Sequence, residues 1–495
     1  MFIAPALLLS SGTTVATYRW DLSATAGVQD GQGTWNTTNT YFTKDNGATR
    51  VAWVPGSIAQ FGGGVSGTAA GNIVTGTQTC TGLIFNTPFA GAYTFGGGTI
   101  AFIGASFIEC NSATGMTGSG VLSGGTITVR GSAVFTIAGS STANTIDTLN
   151  VTSVATVTFN STYGPKLPTN LVVDGTVNLS ASTTVTVSSL ISGTGTINIT
   201  TTPAVTLSAN NTFSGSINLT TTGAVVNVGS GTAGSLGTGT VSLSSAYLQF
   251  DRTDTYTVTN NVTGTMYTSN TSRMRNGGTM IYTGTWSATG AVRFTLTSSC
   301  TLQIGNGGTV GDLPLDIVGA TGTTLIFNRS NAYSHVGMAT AGGTGALTHA
   351  GTGTLTLTSN QTYTGATTVS AGPLRLGGNL AATAVTVANV AGASIGASTA
   401  ATRTIAGSVT FAGSNAALDV QTNGSTVASR LTVTGSVVRG GAKVNVLGAL
   451  NAGTYIIISG ASGSSSGSEF TIGTNLSGRT CTFSTVSGVT TMTAS

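Results

Sequence analysis

The stretch GTGTLTLTSNQTYTGATTVSAGPLRLGG, residues 351–378, contains two strict alternations of apolar and polar residues. The first is Leu355–Leu357 (LTL) and the second is Leu374–Leu376 (LRL). Alternation puts the leucines on one face of a strand and the polar residues on the other. Because strands this short cannot bury an apolar face alone, the pattern predicts that similar segments cover it from above and below.

Two upstream stretches repeat this design. Residues 204–229 read AVTLSANNTFSGSINLTTTGAVVNVG, and another copy ends at Ile304 within LQIG. The closing apolar residues Val228, Ile304 and Leu376 are 304 − 228 = 76 and 376 − 304 = 72 residues apart. Repetition at a fixed period is typical of a solenoid, in which each unit contacts only its neighbours. With coils of roughly 20 to 25 residues, each repeat would supply three or four coils.

The segments that follow the first two closing residues also correspond to each other. Gly229–Leu236 corresponds to Gly305–Leu313, and Phe250–Tyr256 corresponds to Phe327–Tyr333. The self-similarity therefore extends beyond the alternating strands into the turns between them.

Composition agrees with a β-fold. Of 495 residues, 73 are Gly and only 6% are charged, whereas hydrophobic residues reach 39%. Thr and Val favour strands, and Gly, Asn and Ser favour the turns between strands. We therefore predict a folded all-β protein in which Asn or Thr side chains stack in ladders along the coils. The net charge of +4 is scattered, with its densest point at Arg273–Arg275, and does not indicate nucleic-acid binding.

The sequence divides into three predicted regions. Residues 1–63 contain three of the four tryptophans and are interpreted as an N-terminal cap or an attachment region. Residues 64–440 are interpreted as the β-solenoid, with clear repeats at 201–378 and a predicted loop at 164–168. The more hydrophobic residues 441–495 are interpreted as a C-terminal cap.

Residues 351–378 resemble the autotransporter-associated β-strand repeat of bacterial passenger domains. Leu302–Leu313 (LQIGNGGTVGDL) and Leu325–Tyr333 (LIFNRSNAY) resemble the segment that usually precedes that repeat, and Ala452–Gly460 is similar to the end of such passengers. The resemblance implies a right-handed parallel β-helix displayed at a surface. It implies no reaction.

The ends of the sequence favour a different route to the surface. Residues 1–10 are apolar, but no basic residue precedes Arg19, so we expect no secretory signal. No stretch reaches the roughly 20 apolar residues of a membrane-spanning helix, and no segment after the solenoid is interpreted as the membrane barrel of an autotransporter. The sequence is therefore interpreted as a soluble, unprocessed chain.

Two pairs of acidic residues are close enough in sequence to be tested as a glycosidase site, which needs two carboxylates. They are Asp251 with Asp254, and Asp312 with Asp316. The first pair corresponds to two asparagines in the next repeat, and Asp312 corresponds to Ser235. Because Asp, Asn and Ser all stabilise turns, these residues are predicted to be turn formers, and no catalytic residue is assigned.

The remaining candidates for chemistry give no site either. His335 and His349 are the only histidines, and both are expected at the surface. Glycine runs such as Gly62–Gly64 lead into no helix, so they are predicted to be tight corners and not phosphate loops. No cofactor-binding residue is assigned.

The four cysteines are Cys80, Cys110, Cys300 and Cys481. Their spacing lacks the short Cys and His intervals of a metal site, so no metal is expected. Cys80 and Cys110 could face each other on adjacent coils, but buried free thiols are the favoured interpretation.

These features favour a non-catalytic structural or adhesive rod of a bacteriophage virion, located on the virion surface as a fibre or decoration protein. The alternative is a bacterial surface or secreted adhesin of the autotransporter-passenger type. A tailspike-like polysaccharide depolymerase is a third hypothesis. Expected partners are other virion or surface proteins, through residues 1–63, and surface glycans on a face rich in Thr, Ser and Asn. A homotrimer is compatible with the virion hypothesis.

Overall fold

The computed structural model describes residues 15–25, 27–116, 120–138, 144–160, 167–269, 271–290, 293–339, 343–382, 384–424, 426–460 and 465–495. Every regular element in these residues is a β-strand, which confirms the all-β prediction. The chain divides into two compact units, residues 1–205 with 211–218, and residues 206–210 with 219–495. Residues 1–10, considered above as an export signal, and most of the predicted loop at 164–168 lie outside the described residues.

The first unit is a β-solenoid built mainly from two stacks of parallel strands. The first stack contains Thr17–Trp20, Ser57–Phe61, Gln78–Phe85, Thr99–Cys110, Val121–Arg130, Thr145–Val151, Asn170–Val173 and Leu190–Ser192, with Phe42–Thr43 and Arg50–Val51 added in antiparallel pairing. The second contains Gly33–Trp35, Ala70–Thr75, Gly91–Gly96, Thr114–Met116, Val134–Ala138, Thr156–Asn160, Thr176–Leu179 and Thr196–Ile199. Further strands are Gln29–Asp30, Ser66–Gly67, Val185–Val187, Val205–Leu207 and Ser216–Leu219.

Five aromatic residues between positions 20 and 61 form the core of the first coils. Trp20, Trp35 and Trp53 are at most 2% exposed, and Phe42 and Phe61 are equally buried. Their ring centroids lie 5.0 to 6.2 Å apart in edge-on and tilted arrangements. Aromatic pairs of this kind stabilise a core beyond the area they bury. These five rings face inward, and the interpretation of residues 1–63 as a cap or an attachment region stays a prediction.

The second unit is also a β-solenoid, with strands on three faces of each coil. One face contains Thr255–Val258, Thr279–Tyr282, Thr301–Ile304, Thr324–Phe327, Ala346–His349, Thr367–Val369, Ala384–Val387, Ser408–Phe411, Val437–Val438 and Ser465–Ser466. The next contains Tyr333–His335, Leu355–Leu357, Pro373–Leu376, Ser394–Ala397, Ala417–Gln421, Lys443–Leu447 and Thr471–Asn475, whereas Val262–Met266 pairs with the first half of Val241–Arg252. The third contains Val225–Gly231, Val241–Arg252, Ser272–Met274, Arg293–Leu296, Asp316–Gly319, Thr402–Ile405, Arg430–Val433, Gly453–Ser459, Cys481–Val486 and Val489–Ala494, the last three in antiparallel pairing.

The sequence repeat is not a whole number of coils. Val228 begins a ladder that passes through Phe250 and Met274 to Leu296, three coils later, and the repeat then closes at Ile304 on the next face. From Ile304, a second ladder passes through Phe327, His349 and Val369 before the chain reaches Leu376, again one face further on. Each repeat therefore supplies three coils and one additional strand, which confirms the predicted three or four coils.

Stacked asparagines occur on the solenoid surface, as predicted. In the first unit, the Asn198 side-chain amide donates to Asn178 Oδ1 at 2.9 Å, and the Asn218 amide donates to Asn198 Oδ1 at 3.0 Å. Asn178 in turn donates to Thr158 Oγ1 at 3.0 Å. Such ladders satisfy side-chain amides along the stacking direction without burying charge. The right-handed sense of the coil and the two caps remain predictions.

Candidate functional site

Two arginines hold corresponding glycine-rich loops in the second unit. Arg252 donates from Nη1 to the Gly234 carbonyl at 2.8 Å and from Nη2 to the Thr232 carbonyl at 2.7 Å. Its Nη2 also lies 2.6 Å from a carboxylate oxygen of Asp254, and its guanidinium packs 4.9 Å from the Tyr256 ring centroid. We call Arg252 with the loop Gly229–Leu236 the first clamp. One planar guanidinium here satisfies two loop carbonyls and a carboxylate together.

The second clamp, Arg329 with the loop Gly305–Leu313, repeats these contacts 77 residues later. Arg329 donates from Nη2 to the Thr309 carbonyl at 2.7 Å and from Nη1 to the Gly311 carbonyl. Its Nε donates to Asn331 Oδ1 at 3.1 Å, in place of the carboxylate of the first clamp. Gly311, like its counterpart in the first loop, has a positive φ (+90°), and a Cβ there would lie 2.5 Å from the Tyr282 carbonyl. The correspondence predicted between the two loops is thus a structural one.

The acidic residues proposed for a glycosidase test are all engaged. Asp251 accepts from Arg275 at 2.7 Å, and Asp254 pairs with Arg252 as described. Hydrogen bonds from Arg252 lower the pKa of Asp254 below its usual value. Turn formers were predicted at these positions from the sequence, and the ion pairs were not.

The histidines were expected at the surface, and that prediction is wrong. His335 and His349 are each 2% exposed. Both lie in phase with buried leucines, because an inward-facing position on a strand recurs at every second residue. Burial lowers the pKa of each imidazole to about 4, so both are neutral at pH 7.

His335 belongs to a polar network inside the second clamp. Its Nε2 donates to the Leu313 carbonyl at 2.7 Å, and its Nδ1 accepts from the Gly337 amide at 2.7 Å. The neighbouring Tyr333 hydroxyl donates to Asp312 at 3.0 Å and accepts from the Leu313 amide at 3.2 Å. These bonds fix the segment that leads from the clamp loop into residues 314–316.

His349 has a different environment. It occupies the apolar ladder between Phe327 and Val369. Neither of its ring nitrogens has a hydrogen bond of good geometry within the described part of the chain. Burial in this apolar ladder makes the imidazole costly to protonate and disfavours a catalytic role.

A surface groove of about 570 Å³ is lined in part by Pro314–Asp316, the residues that follow the loop of the second clamp in the chain. It crosses consecutive coils of the second unit and is lined by Trp286–Gly290, Pro314–Asp316, Val336, Ala339 and Ser359. Asp316 is 6% exposed, and its Oδ1 accepts from the Ala339 amide at 2.7 Å. Its other oxygen lies 3.9 Å from Nε of Arg293, whose side chain is 39% exposed. We call these residues the Asp316 groove.

Sequence reasoning missed a buried ion pair. Arg375 was predicted on the polar face of its strand, yet its guanidinium pairs with Asp419, which is 2% exposed. These residues lie two coils apart, with Gly396 between them in the ladder. Asp419 also accepts from the Asn445 amide at 2.6 Å, so the buried carboxylate is hydrogen-bonded on both oxygens. The alternation in LRL places Arg375 on the polar face but does not indicate that its side chain extends to a carboxylate two coils away.

The cysteines are free, and Cys80 and Cys110 do not face each other. Cys80 lies beside Phe102 and Cys110 beside Phe85, so their positions on adjacent coils are five residues apart along one strand and eight along the other. All four thiols are buried, as favoured from the sequence, and burial raises the pKa of Cys80 and Cys110 to about 12.

No group of three or more His, Cys, Asp or Glu side chains comes together in the described ranges in a way that could hold a metal ion. No helix in the same ranges is long and apolar enough to cross a membrane.

Residues 347–376, which include most of the stretch that predicted the fold, lie on two stacked coils with their apolar side chains inward. Leu347, Leu355, Leu357, Leu374 and Leu376 are at most 1% exposed. Residues 347–376 match the passenger-associated-transport-repeat family. This passenger-associated repeat confirms the resemblance to autotransporter passenger repeats that residues 351–378 indicated. Comparison with curated proteins and with solved structures gives no match.

Proposed function

We propose that this chain is displayed at the bacterial cell surface as a non-catalytic adhesive β-solenoid of the autotransporter-passenger type. The passenger-associated repeat at residues 347–376, placed on two stacked coils, is the observation that carries the proposal. Such a repeat favours an extracellular or cell-surface location. The alternative left open by the sequence thus becomes the main hypothesis, since no comparison supports a virion role.

The chemistry of the titratable groups supports a binding role over catalysis. The two candidate acidic pairs are hydrogen-bonded or ion-paired, and Asp419 is neutralised by Arg375. A general acid or base needs a pKa near the working pH and access to the substrate. The two buried histidines, with pKa values of about 4, have neither property.

Fractionation of the source bacterium tests the location. Intact cells are treated with an added protease, and peptides of residues 219–495 are followed by mass spectrometry in cell, supernatant and phage-particle fractions. Release of these peptides from intact cells, together with reduced surface attachment after deletion of the coding sequence, is the expected result. Recovery of the peptides only with phage particles would restore the virion hypothesis.

A separate assay tests the non-catalytic assignment. Purified protein is incubated with capsular and cell-wall polysaccharides, and the reducing ends formed are measured. No release is expected. If release occurs, and if Asp312→Asn or Asp316→Asn abolishes it while the fold is retained, the protein is an enzyme.

A further inference from the structure

We infer that the Asp316 groove binds a neutral sugar unit of a glycan, an inference that rests on the proposed adhesive function. The groove's volume of about 570 Å³ lies within the roughly 300 to 1,000 Å³ typical of small-molecule sites. It crosses successive coils, whose strands stack about 4.8 Å apart. The groove therefore has the dimensions of a site for one or a few sugar rings.

The lining combines an apolar floor with hydroxyl groups. Pro314, Leu315, Val336 and Ala339 supply the apolar surface, and Ser287, Thr289 and Ser359 supply hydroxyls. A pyranose has the complementary pattern, since one face consists of C–H groups and its edge carries hydroxyls. Apolar lining with a few placed polar groups is the general design of sites for such ligands.

The charges favour an uncharged ligand. Asp316 is the carboxylate in the lining, and the Arg293 guanidinium lies 3.9 Å from it. Because the two opposite charges offset each other, neither an anionic nor a cationic ligand gains a net attraction there. A carboxylate oxygen nevertheless forms stronger hydrogen bonds with a hydroxyl than a neutral acceptor does.

Two other ligand classes fit less well. A purely apolar ligand would cover the hydroxyls of Ser287, Thr289 and Ser359 without offering them hydrogen bonds, which is costly. An extended peptide is usually captured by adding a strand to an open sheet edge. The strand Asp316–Gly319 is paired with Arg293–Leu296 on one side, and Gly319 bridges to Gly343 on the other.

The groove differs from the repetitive Thr, Ser and Asn surface that the sequence suggested for glycan binding. Its central segment, Pro314–Asp316, corresponds at the 77-residue offset to Gly237–Gly239 in the preceding repeat. The corresponding segment has no carboxylate and no bulky apolar side chain. Recognition is therefore assigned to one place in the second unit and not to every coil.

The full chain is tested on a printed array of neutral and sialylated oligosaccharides, and the strongest neutral binder is then titrated by calorimetry. Ala339→Arg fills the groove and is expected to weaken binding at least tenfold. Asp316→Asn keeps an acceptor for the Ala339 amide but loses the carboxylate, so a loss of about tenfold is expected from a hydrogen bond to a charged group. Ala320→Arg adds the same charge at an exposed position that does not line the groove, and should bind as the unchanged protein does.

Each outcome decides the inference. No binding to any neutral oligosaccharide, or equal binding by Ala339→Arg and Ala320→Arg, overturns it. If Ala339→Arg does not fold, Ser287→Trp at the exposed rim replaces it with the same expectation. Cells that display the unchanged protein and still attach to surfaces, although the purified protein binds no sugar, would refute the groove and leave the adhesive function standing.

Discussion

The two arginine clamps of the second unit share one device but differ in what surrounds it. In both, a guanidinium bonds two loop carbonyls and packs on a tyrosine. In the first clamp, the Tyr256 hydroxyl is buried without a hydrogen-bond partner in the described residues, and Val258 follows it. In the second, Tyr333 bonds Asp312, and His335 replaces the valine.

The comparison separates the part of the repeat that occurs in both copies from the part that occurs only in the second. The arginine and its glycine loop recur because each closes a long corner between two strands. The polar network occurs where the loop continues into Pro314–Asp316, the wall of the Asp316 groove. We interpret Asp312, Tyr333 and His335 as residues that position this wall.

The largest expected effect is the loss of a clamp arginine. Arg252→Met leaves two loop carbonyls and the partly exposed carboxylate of Asp254 without their donor, so we expect a loss of about 2 kcal/mol in the free energy of unfolding. Arg329→Met should cost about 1.5 kcal/mol, because its side-chain partner Asn331 is neutral. Arg130→Met, which removes an exposed ion pair, is the control, with about 0.5 kcal/mol expected. Urea-induced unfolding, monitored by hydrogen exchange, measures the loss for each variant. Equal losses for Arg252→Met and Arg329→Met would contradict the expected difference between the two clamps.

The second effect is acid sensitivity between pH 6.5 and pH 4, which only the second of the two clamps should show. The pKa of His335 is about 4 in the folded chain and near 6.5 when unfolded, so the unfolded chain takes up a proton first as the pH falls. Stability is complete above pH 6.5 and is lost towards pH 4, by about 2 kcal/mol at pH 5. His335→Val, which copies Val258, should remove that part of the pH dependence. Val258→His should add a similar dependence to the first clamp, and unchanged profiles for both variants would refute this account.

A smaller effect separates the two tyrosines. Tyr333→Phe leaves Asp312 and the Leu313 amide without a partner, and should cost about 1.5 kcal/mol. Tyr256→Phe removes a hydroxyl that has no partner, so no loss is expected. Thermal melts of the two variants, which are chemically the same change, provide the test. A greater loss for Tyr256→Phe would reverse the interpretation.

The smallest effect concerns the polar partner of each arginine. Asp254→Asn and Asn331→Asp exchange the partners of the two clamps, and each should change stability by less than about 0.5 kcal/mol because the site is partly exposed to solvent. Asp254→Asn should make the stability less dependent on salt, and Asn331→Asp should make it more dependent on salt, because salt screens the ion pair. Melts at low and high salt measure this, and a large loss in either variant would show that partner charge matters more than the carbonyl contacts.

The burial of the two histidines could have been predicted from the alternation of apolar and polar residues. Tyr333–His335 and Ala346–His349 each alternate in phase with inward-facing residues, so the period of two alone places both histidines inside. The expectation of a surface position treated histidine as polar and overrode that signal. The ion pair of Arg375 with Asp419 has no such signal, because its partners are 44 residues apart and meet only through stacking.

The sequence alone was enough for the all-β solenoid, which follows from alternation with a period of two and from repetition every 72 to 76 residues, and for the passenger-type repeat, which follows from the motif at residues 351–378. Tertiary structure decided which face each repeat begins on, how Arg252 and Arg329 reach their loops, and which residues line the Asp316 groove. Those features depend on contacts between successive coils, which in the second unit span 18 (385 − 367) to 29 (475 − 446) residues. Since coil length varies, the residue that lies above another is set by stacking and not by a constant interval in the chain.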